Sequence, residues 1–492
     1  MTIFQVRDLK QVSHAWWKKI SLAYIPGPRD NLLDEVSSNL LDCFRANGHQ
    51  VCEKPDRLTD VILTTALFGR PIRWREAMLF TARRQYNMEH TPTIFTLVHA
   101  TPEAFINSLE KFDRILEKYP PDPKDYAFPG LALEAYKTLY EQGKRGGAML
   151  ALLRVVQTQA MSIRVILLVG EDHPIEAYTF DLVGAHPRIE AANLELFYQD
   201  LVGRIVTAVS THEITDHRVL GDALSWEIWE SLNTPKAMRR AGIELGQRHF
   251  FTEMVRVANL AAVPSVPDAI SSQYSEGCFA TWEPRINGLI TTVTGSARPV
   301  DKDNLTDDEL AIIVGVKPEG DGALVRHVEG KRNDPPSSEA VELVEMDEGL
   351  PKITLSTGEV VPVTRSKLHG HRGVKAYHPD WVEHVYLDEP YYYYPVSCST
   401  EAQARAIKAA FSRSEALRNP NDARQVVFTV LPGHGIVIVE KWSEDKEPFQ
   451  LIWEYMDSGH IEVDNFVPQG LIAYEQEGDG LMRLRLLSGN PG

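Results

Sequence analysis

The stretch KKISLAYIPGPRDNLLDEVSSNLLDCFRANGHQV, residues 18–51, decides the fold class. Ile20 to Ile25 is a short apolar run, the length of a buried strand. Pro26, Gly27 and Pro28 break it. From Leu32 to Phe44 apolar residues recur at helical spacing, and Gly48 follows as a stop signal. The reading is strand, loop, helix. Working outward, Asp60 to Thr65 predicts a strand, about 72–84 a helix, and Thr93 to Val98 a strand; Pro102 and Glu103 open another helix. Alternation of this kind predicts a parallel sheet covered on both faces. Residues 120–130, PPDPKDYAFPG, carry four prolines and read as a surface connection.

SIRVILLVG, Ser162 to Gly170, is the clearest strand of a second α/β unit, with helices expected over 189–203 and about 234–259. PSVPDAISSQYSEGCFATW reads as loop, strand near Asp268 to Ser271, and loop, and Ile286 to Thr294 as a short helix ending at Gly295. Beyond about residue 320 the texture changes to ALVRHVEG, AVELVEM, KITLSTGEVVPVT, ARQVVFTVL, GIVIVEKW and FQLIWEYM, all strand-like with turn signals between them. Only 401–416 reads as a helix there. The expected architecture is α/β: two tandem Rossmann-like or flavodoxin-like parallel-sheet domains, 1–160 and 161–318, then a β-rich, barrel-like C-terminal domain, 319–492.

The totals agree. At ~100–200 residues per domain, 492 residues accommodate about three domains. A hydrophobic fraction of 43% and a charged fraction of 24% are those of a chain that buries cores. A net charge of −17 repels phosphate backbones, so nucleic acid is not an expected partner. The four cysteines, Cys43, Cys52, Cys278 and Cys398, form no C-x-x-C and fit a reducing compartment. The first residues lack the apolar run of a secretory signal, and no run approaches the ~20 apolar residues of a membrane span. A cytoplasmic protein without a membrane partner is the expectation.

Phosphate-loop, dinucleotide, nucleophile-elbow and H-E-x-x-H signatures are absent. IPGPRDN can bring amides near a ligand or be an ordinary tight turn. His212, Glu213, Asp216 and His217 read as a solvated helix start.

Four stretches carry chemistry. Glu276, in YSEGC, follows an apolar run where a strand should end, and ligand sites in open α/β sheets gather at such ends; the plain alternative is a surface loop carboxylate. Asp301, in SARPVDKD, follows Glu276 after one further expected element, and two such carboxylates can chelate a hard divalent cation, or belong to a solvated acidic run. His434, in LPGHG, stands between two strand-like runs with glycine on both sides, which allows close approach of a ligand or simply makes a hairpin turn. His369 and His371, in LHGHRG, share one face of an extended segment and suit a metal, or with Arg372 an anion-binding surface. Tyr391 to Tyr394 reads as β packing.

In this order, these stretches resemble the L-fucose isomerase and L-arabinose isomerase superfamily. SEGCFATWEPRINGLITTVTGSARPVD is similar to that family's strand end, threonine–glycine–x–proline turn and second acid, and the opening strand and helix are also similar. The resemblance implies a divalent metal, Mn2+ by preference, held by Glu276, Asp301 and His434, and an aldose–ketose isomerisation through an enediolate in which Glu276 and Asp301 also move the proton. It implies a sugar substrate and a homo-oligomer (trimer or hexamer); Trp282, Arg298, His369, His371 and Arg372 are the candidate substrate contacts, the HGHRG cluster departing from the family pattern. Two alternatives share these residues: another metal-dependent carbohydrate lyase or aldolase, and a non-catalytic sugar-binding protein.

Overall fold

The computed structural model describes residues 19–27, 29–67, 93–100, 163–170, 175–179, 194–210, 214–248, 250, 277–294, 300, 302–388, 399–419, 421–431, 434–464 and 472–486. The expected helices at 72–84 and after Pro102, the 120–130 connection, the strand at Asp268–Ser271 and the tyrosine run 391–394 lie outside them. The chain divides into two compact units, one of residues 1–209, 253–270 and 488–492, the other of 210–252 and 271–487.

In the first unit, β1 (Ser21–Ile25), β2 (Gln50–Cys52), β3 (Val61–Leu67), β4 (Thr93–Ala100), β5 (Ile163–Val169) and β6 (Glu176–Thr179) form one sheet in the order β2-β1-β3-β4-β5-β6. All neighbours pair in parallel except β6, which is antiparallel to β5. Between β1 and β2 runs α1 (Asn31–Ala46), capped by the Asp30 carboxylate, which accepts from Leu33 N at 2.9 Å. Its buried stripe is Leu32, Leu33, Val36, Leu40, Cys43 and Phe44, the spacing seen in the sequence. Gly27 is needed by contact: a Cβ there would stand 1.9 Å from Thr65 O. The run at 162–170, expected to open a second sheet, extends this one beside β4.

The second unit is built on nine strands. They are β7 (Arg218–Val219), β8 (Cys278–Glu283), β9 (Gly288–Thr292), β10 (Leu310–Val316), β11 (Ala323–Arg326), β14 (Thr364–Gly370), β16 (Val382–His384), β17 (Val426–Leu431) and β18 (Gly435–Lys441), in the order β16-β17-β18-β14-β8-β9-β10-β11-β7. A hairpin, β12 (Lys352–Thr354) with β13 (Val360–Pro362), precedes β14. A four-stranded sheet holds β15 (Gly373–Tyr377), β19 (Ile461–Asp464), β20 (Ile472–Gln476) and β21 (Met482–Leu486). Strands after residue 319 therefore join earlier ones, β14 pairing β8, and no closed barrel occurs among the described residues.

Both faces of the nine-stranded sheet are covered. One packs Leu368, Phe279, Ile312, Phe428 and Ile438 against α4 (Thr234–Gln247) and α8 (Gln450–Asp457), through Met238, Leu245, Leu451 and Ile452. The other packs Ala280, Ile313, Val427 and Val437 against α5 (Glu339–Glu345) and α6 (Glu401–Ser412), through Val341, Leu343, Ile407 and Phe411.

Three sequence expectations are corrected here. AVELVEM and FQLIWEYM, read as strands, fall almost wholly in α5 and α8, whose apolar residues line one helix side against the sheet. Ile286–Thr294, read as a helix, contains β9: Asn287 takes φ 46° to turn the chain, and β-branched Ile290, Thr291 and Thr292 then pair with β8 and β10. No described helix is long and apolar enough to cross a membrane.

Candidate metal centre

β14 positions the site by alternation. Leu368 and Gly370 turn toward the α4 and α8 side, while Lys367 and His369 turn toward α5. In register, His369 lies between Cys278 of β8 and Val437 of β18. The strand ends at Gly370, and His371 and Arg372 form the corner through which the chain passes into β15 of the smaller sheet. His434 sits in the tight connection from β17 to β18, its N–H donating to Leu431 O at 2.9 Å. Glu339 is the first residue of α5, where a carboxylate also meets the positive end of the helix.

One ligand atom from each of Glu339, His369, His371 and His434 lies within 4.8 Å of the other three, and all four residues are buried. Glu339 Oε1 is 2.9 Å from His369 Nε2 and 3.1 Å from His434 Nε2, and His434 Nε2 is 3.2 Å from His371 Nε2. The ring centroids stand 4.8–5.4 Å apart, counting all three pairs.

The donor set fits a metal. His369 Nδ1 lies 3.0 Å from Ile436 O, a carbonyl that can only accept, so Nδ1 carries the proton. Nε2 faces Glu339 Oε1 at 2.9 Å and makes no hydrogen bond. A buried backbone acceptor that fixes the tautomer of a ligating histidine is the usual support of such a site. Metal–nitrogen bonds of about 2.1 Å put neighbouring ligands about 3 Å apart and opposed ligands about 4 Å apart. The three short separations of 2.9, 3.1 and 3.2 Å match neighbours, and all four donors fall within 4.8 Å of one another.

Electrostatics point the same way. Burial alone would raise the Glu339 carboxyl, but His369 and His434 beside it outweigh that and hold it well below the usual carboxylate range. Burial lowers His434 to about 4, leaving its imidazole neutral and able to bind a cation at neutral pH. One turn on in α5, Glu342 is pushed well above its ordinary value by burial and then by the charge on Glu339, and it accepts from Gln403 Nε2 at 2.7 Å. Cys278 is also raised well above its usual range, first by burial and then by Glu339, so it stands as a neutral thiol beside the histidines.

Of the residues singled out in the sequence, His369, His371 and His434 come together. Glu276, Asp301 and Arg298 lie outside the described residues. Their neighbours do not: Lys302 Nζ donates to Gly277 O at 2.5 Å, and a Cβ on Gly277 would stand 2.5 Å from His369 O. Trp282 packs in the apolar layer beneath α5 and α6. Arg372 turns away from the donors, over the Phe250 ring at 5.8 Å. Glu339 carries no ligand signal in the sequence, because it directly precedes AVELVEM, which reads as strand; its one mark is an acid following two serines at a helix start.

No family model, curated protein or solved structure matches this chain.

Three imidazoles and one carboxylate are a set for a first-row transition ion. Oxygen-preferring Mg2+ and Ca2+ suit it poorly. Four protein donors would fill a tetrahedral ion and would leave open positions on a six-coordinate one.

Proposed function

We propose that this protein is a metal-dependent enzyme whose ion is held by Glu339, His369, His371 and His434, and that its reaction is aldose–ketose isomerisation. The observation that carries the metal is the pairing of His369 Nδ1 with Ile436 O at 3.0 Å, which aims Nε2 at Glu339 within the four-donor cluster. The reaction rests on the resemblance to the L-fucose and L-arabinose isomerases. When bound, the ion supplies Lewis acidity that draws charge from a carbonyl and its neighbouring hydroxyl and eases removal of the proton between them.

The chain's own residues do the rest. Glu339 keeps its charge against the histidines, and Ile436 O and the β14 backbone hold the His369 ring in place. Proton transfer falls, by the same resemblance, to Glu276 and Asp301. This reading moves the carboxylate ligand from those two acids to Glu339. The nitrogen-rich donors favour iron, cobalt, nickel or zinc as well as the manganese implied by the resemblance.

The burial of all four ligands favours a second reading, a closed structural ion that ties α5 to two corners of the sheet. Purified protein should carry one transition ion per chain by elemental analysis, and His369→Ala, His434→Ala and Glu339→Gln should each lose it. A six-coordinate spectrum with cobalt, together with mass-conserving turnover of aldopentoses or 6-deoxyaldohexoses, selects the enzyme. A four-coordinate spectrum and no turnover selects the structural ion, cleavage or dehydration products select a lyase or aldolase, and sugar binding without turnover selects a binding protein. Protein free of metal after growth with each ion overturns the proposal.

A further inference from the structure

On the other side of the same corner lies a cavity of 420 Å³, lined by Arg248, Arg372, Lys375 and Glu462 and by an apolar wall. That volume suits a small molecule. Three of the lining side chains are cationic and one is acidic, in a chain of net charge −17.

The arrangement is built, and a β-bulge builds it. Arg372 and Lys375 are three residues apart, so a regular strand would send them to opposite faces. The pairing of β15 with β19 runs Val374 to Val463 and then Ala376 to Glu462, so Lys375 is the extra residue of a bulge. Bulges re-aim side chains, and this one brings Lys375 into the cavity that Arg372 also lines. Arg372 is seated over the Phe250 ring, and its Nη1 donates to Arg248 O at 3.4 Å. Phe250 in turn rests on Gly370, where a Cβ would stand 2.2 Å from Phe250 Cε1.

Arg248 is engaged by Asp457 at 2.6 and 3.1 Å and by Glu244 at 3.6 Å, so its charge is met locally. Lys375 is exposed and makes no hydrogen bond or ion pair among the described residues. Phe250, Met456, Ile461 and Val463 give the cavity an apolar wall.

We infer that this cavity binds a small organic anion, a phosphate monoester or a carboxylate, with the anionic group at Arg372 and Lys375 and the carbon body against the apolar wall. A guanidinium held in place by an aromatic face suits the oxygens of either group, and the lysine adds a mobile second charge. The site is separate from the metal donors, because Gly370 and Phe250 lie on the opposite face of β14 from His369. It stands whether or not the metal reading holds.

Titration calorimetry on the full chain tests it, with inorganic phosphate, a hexose 6-phosphate, the matching hexuronate and the neutral hexose as probes. Saturable binding of at least one organic anion is expected, tighter than inorganic phosphate and absent for the neutral hexose; which of the two binds tells phosphate from carboxylate. Lys375→Met should weaken it about tenfold, and Lys375→Arg should restore most of it. Lys375 is exposed, so the variant keeps the fold, and an unchanged melting temperature confirms that. Arg372→Met should weaken binding further. No binding of either organic anion, equal binding of the neutral hexose, or an unchanged affinity in folded Lys375→Met overturns the inference.

Discussion

Glu339 and Glu440 are both enclosed carboxyls of the second unit, one on each side of the nine-stranded sheet, and their surroundings give them opposite charge states. Burial raises both. Glu440, on β18, accepts from the Ser366 hydroxyl and from the first-turn amides of α8, Phe449 N at 2.6 Å and Ile452 N at 3.3 Å. It takes the place of a capping side chain, since Phe449 at the helix start has none to offer and sits at φ 67°. Even so it stays at about 7. Glu339 faces two imidazoles instead and is held well below the usual range. Peptide dipoles only partly offset the desolvation of a carboxylate, while groups that can themselves carry positive charge reverse it. A buried carboxyl held low, with three imidazole nitrogens gathered around it, is a place for a cation.

The sharpest way to break this contrast is to remove the Glu339 charge while keeping its shape. Glu339→Gln should weaken metal binding by more than the 10–100-fold typical of an outer-shell change, read by competition with a chelator. Stripping the ion from the unaltered protein should lower its melting temperature, by the equivalent of about 4 kcal/mol if the ion was present at a thousand times its Kd. An unchanged melting curve after full stripping would remove the centre from any role in holding the fold.

Next in size is the other buried ion pair on the α5 face. Lys367 Nζ donates to Leu343 O at 2.6 Å and pairs with Asp347, whose other oxygen accepts from Thr364 Oγ1 at 2.5 Å. Lys367→Met leaves Asp347 enclosed without its cation and should cost about 3–5 kcal/mol in urea denaturation, with much of that recovered in the Lys367→Met, Asp347→Leu double variant. Equal losses in the single and double variants would show that the pair is not the source.

Glu440 predicts a pH signature. Its folded pKa of about 7 lies above the ordinary 4.5, so its contribution is fully present below about pH 4.5 and is lost as pH rises through 7. The change amounts to about 3 kcal/mol, and Glu440→Gln should flatten that part of the stability curve. A curve of the same slope in the variant would assign the effect to another group. Smallest of all, the exposed Arg45–Asp42 pair of α1, at 2.6 Å, should contribute under about 0.5 kcal/mol, so Arg45→Ala serves as the reference for a charge with no burial behind it.

Legibility in the sequence followed locality. The β1–α1 start could be read because its apolar stripe, its breaker at Pro26 and its stop at Gly48 lie within one short stretch. His369 and His371 could be singled out because alternation alone puts them on one face. α8 could not, because FQLIWEYM suits either period at eight residues, and its helix start is satisfied by Glu440 from a neighbouring strand. Glu339 was hidden for the same reason: nothing near it in the chain says that three imidazoles await it.

The sequence by itself determined the α/β class, the alternating start, and the histidines able to bind an ion. Only the tertiary structure decided that a carboxylate at position 339 meets imidazoles at 369, 371 and 434, and that one bulged residue turns Lys375 beside Arg372. Periodicity is a property of neighbours along the chain. The charge state of a buried group is set by whatever packs against it, and in this sheet those partners come from segments far apart in the sequence.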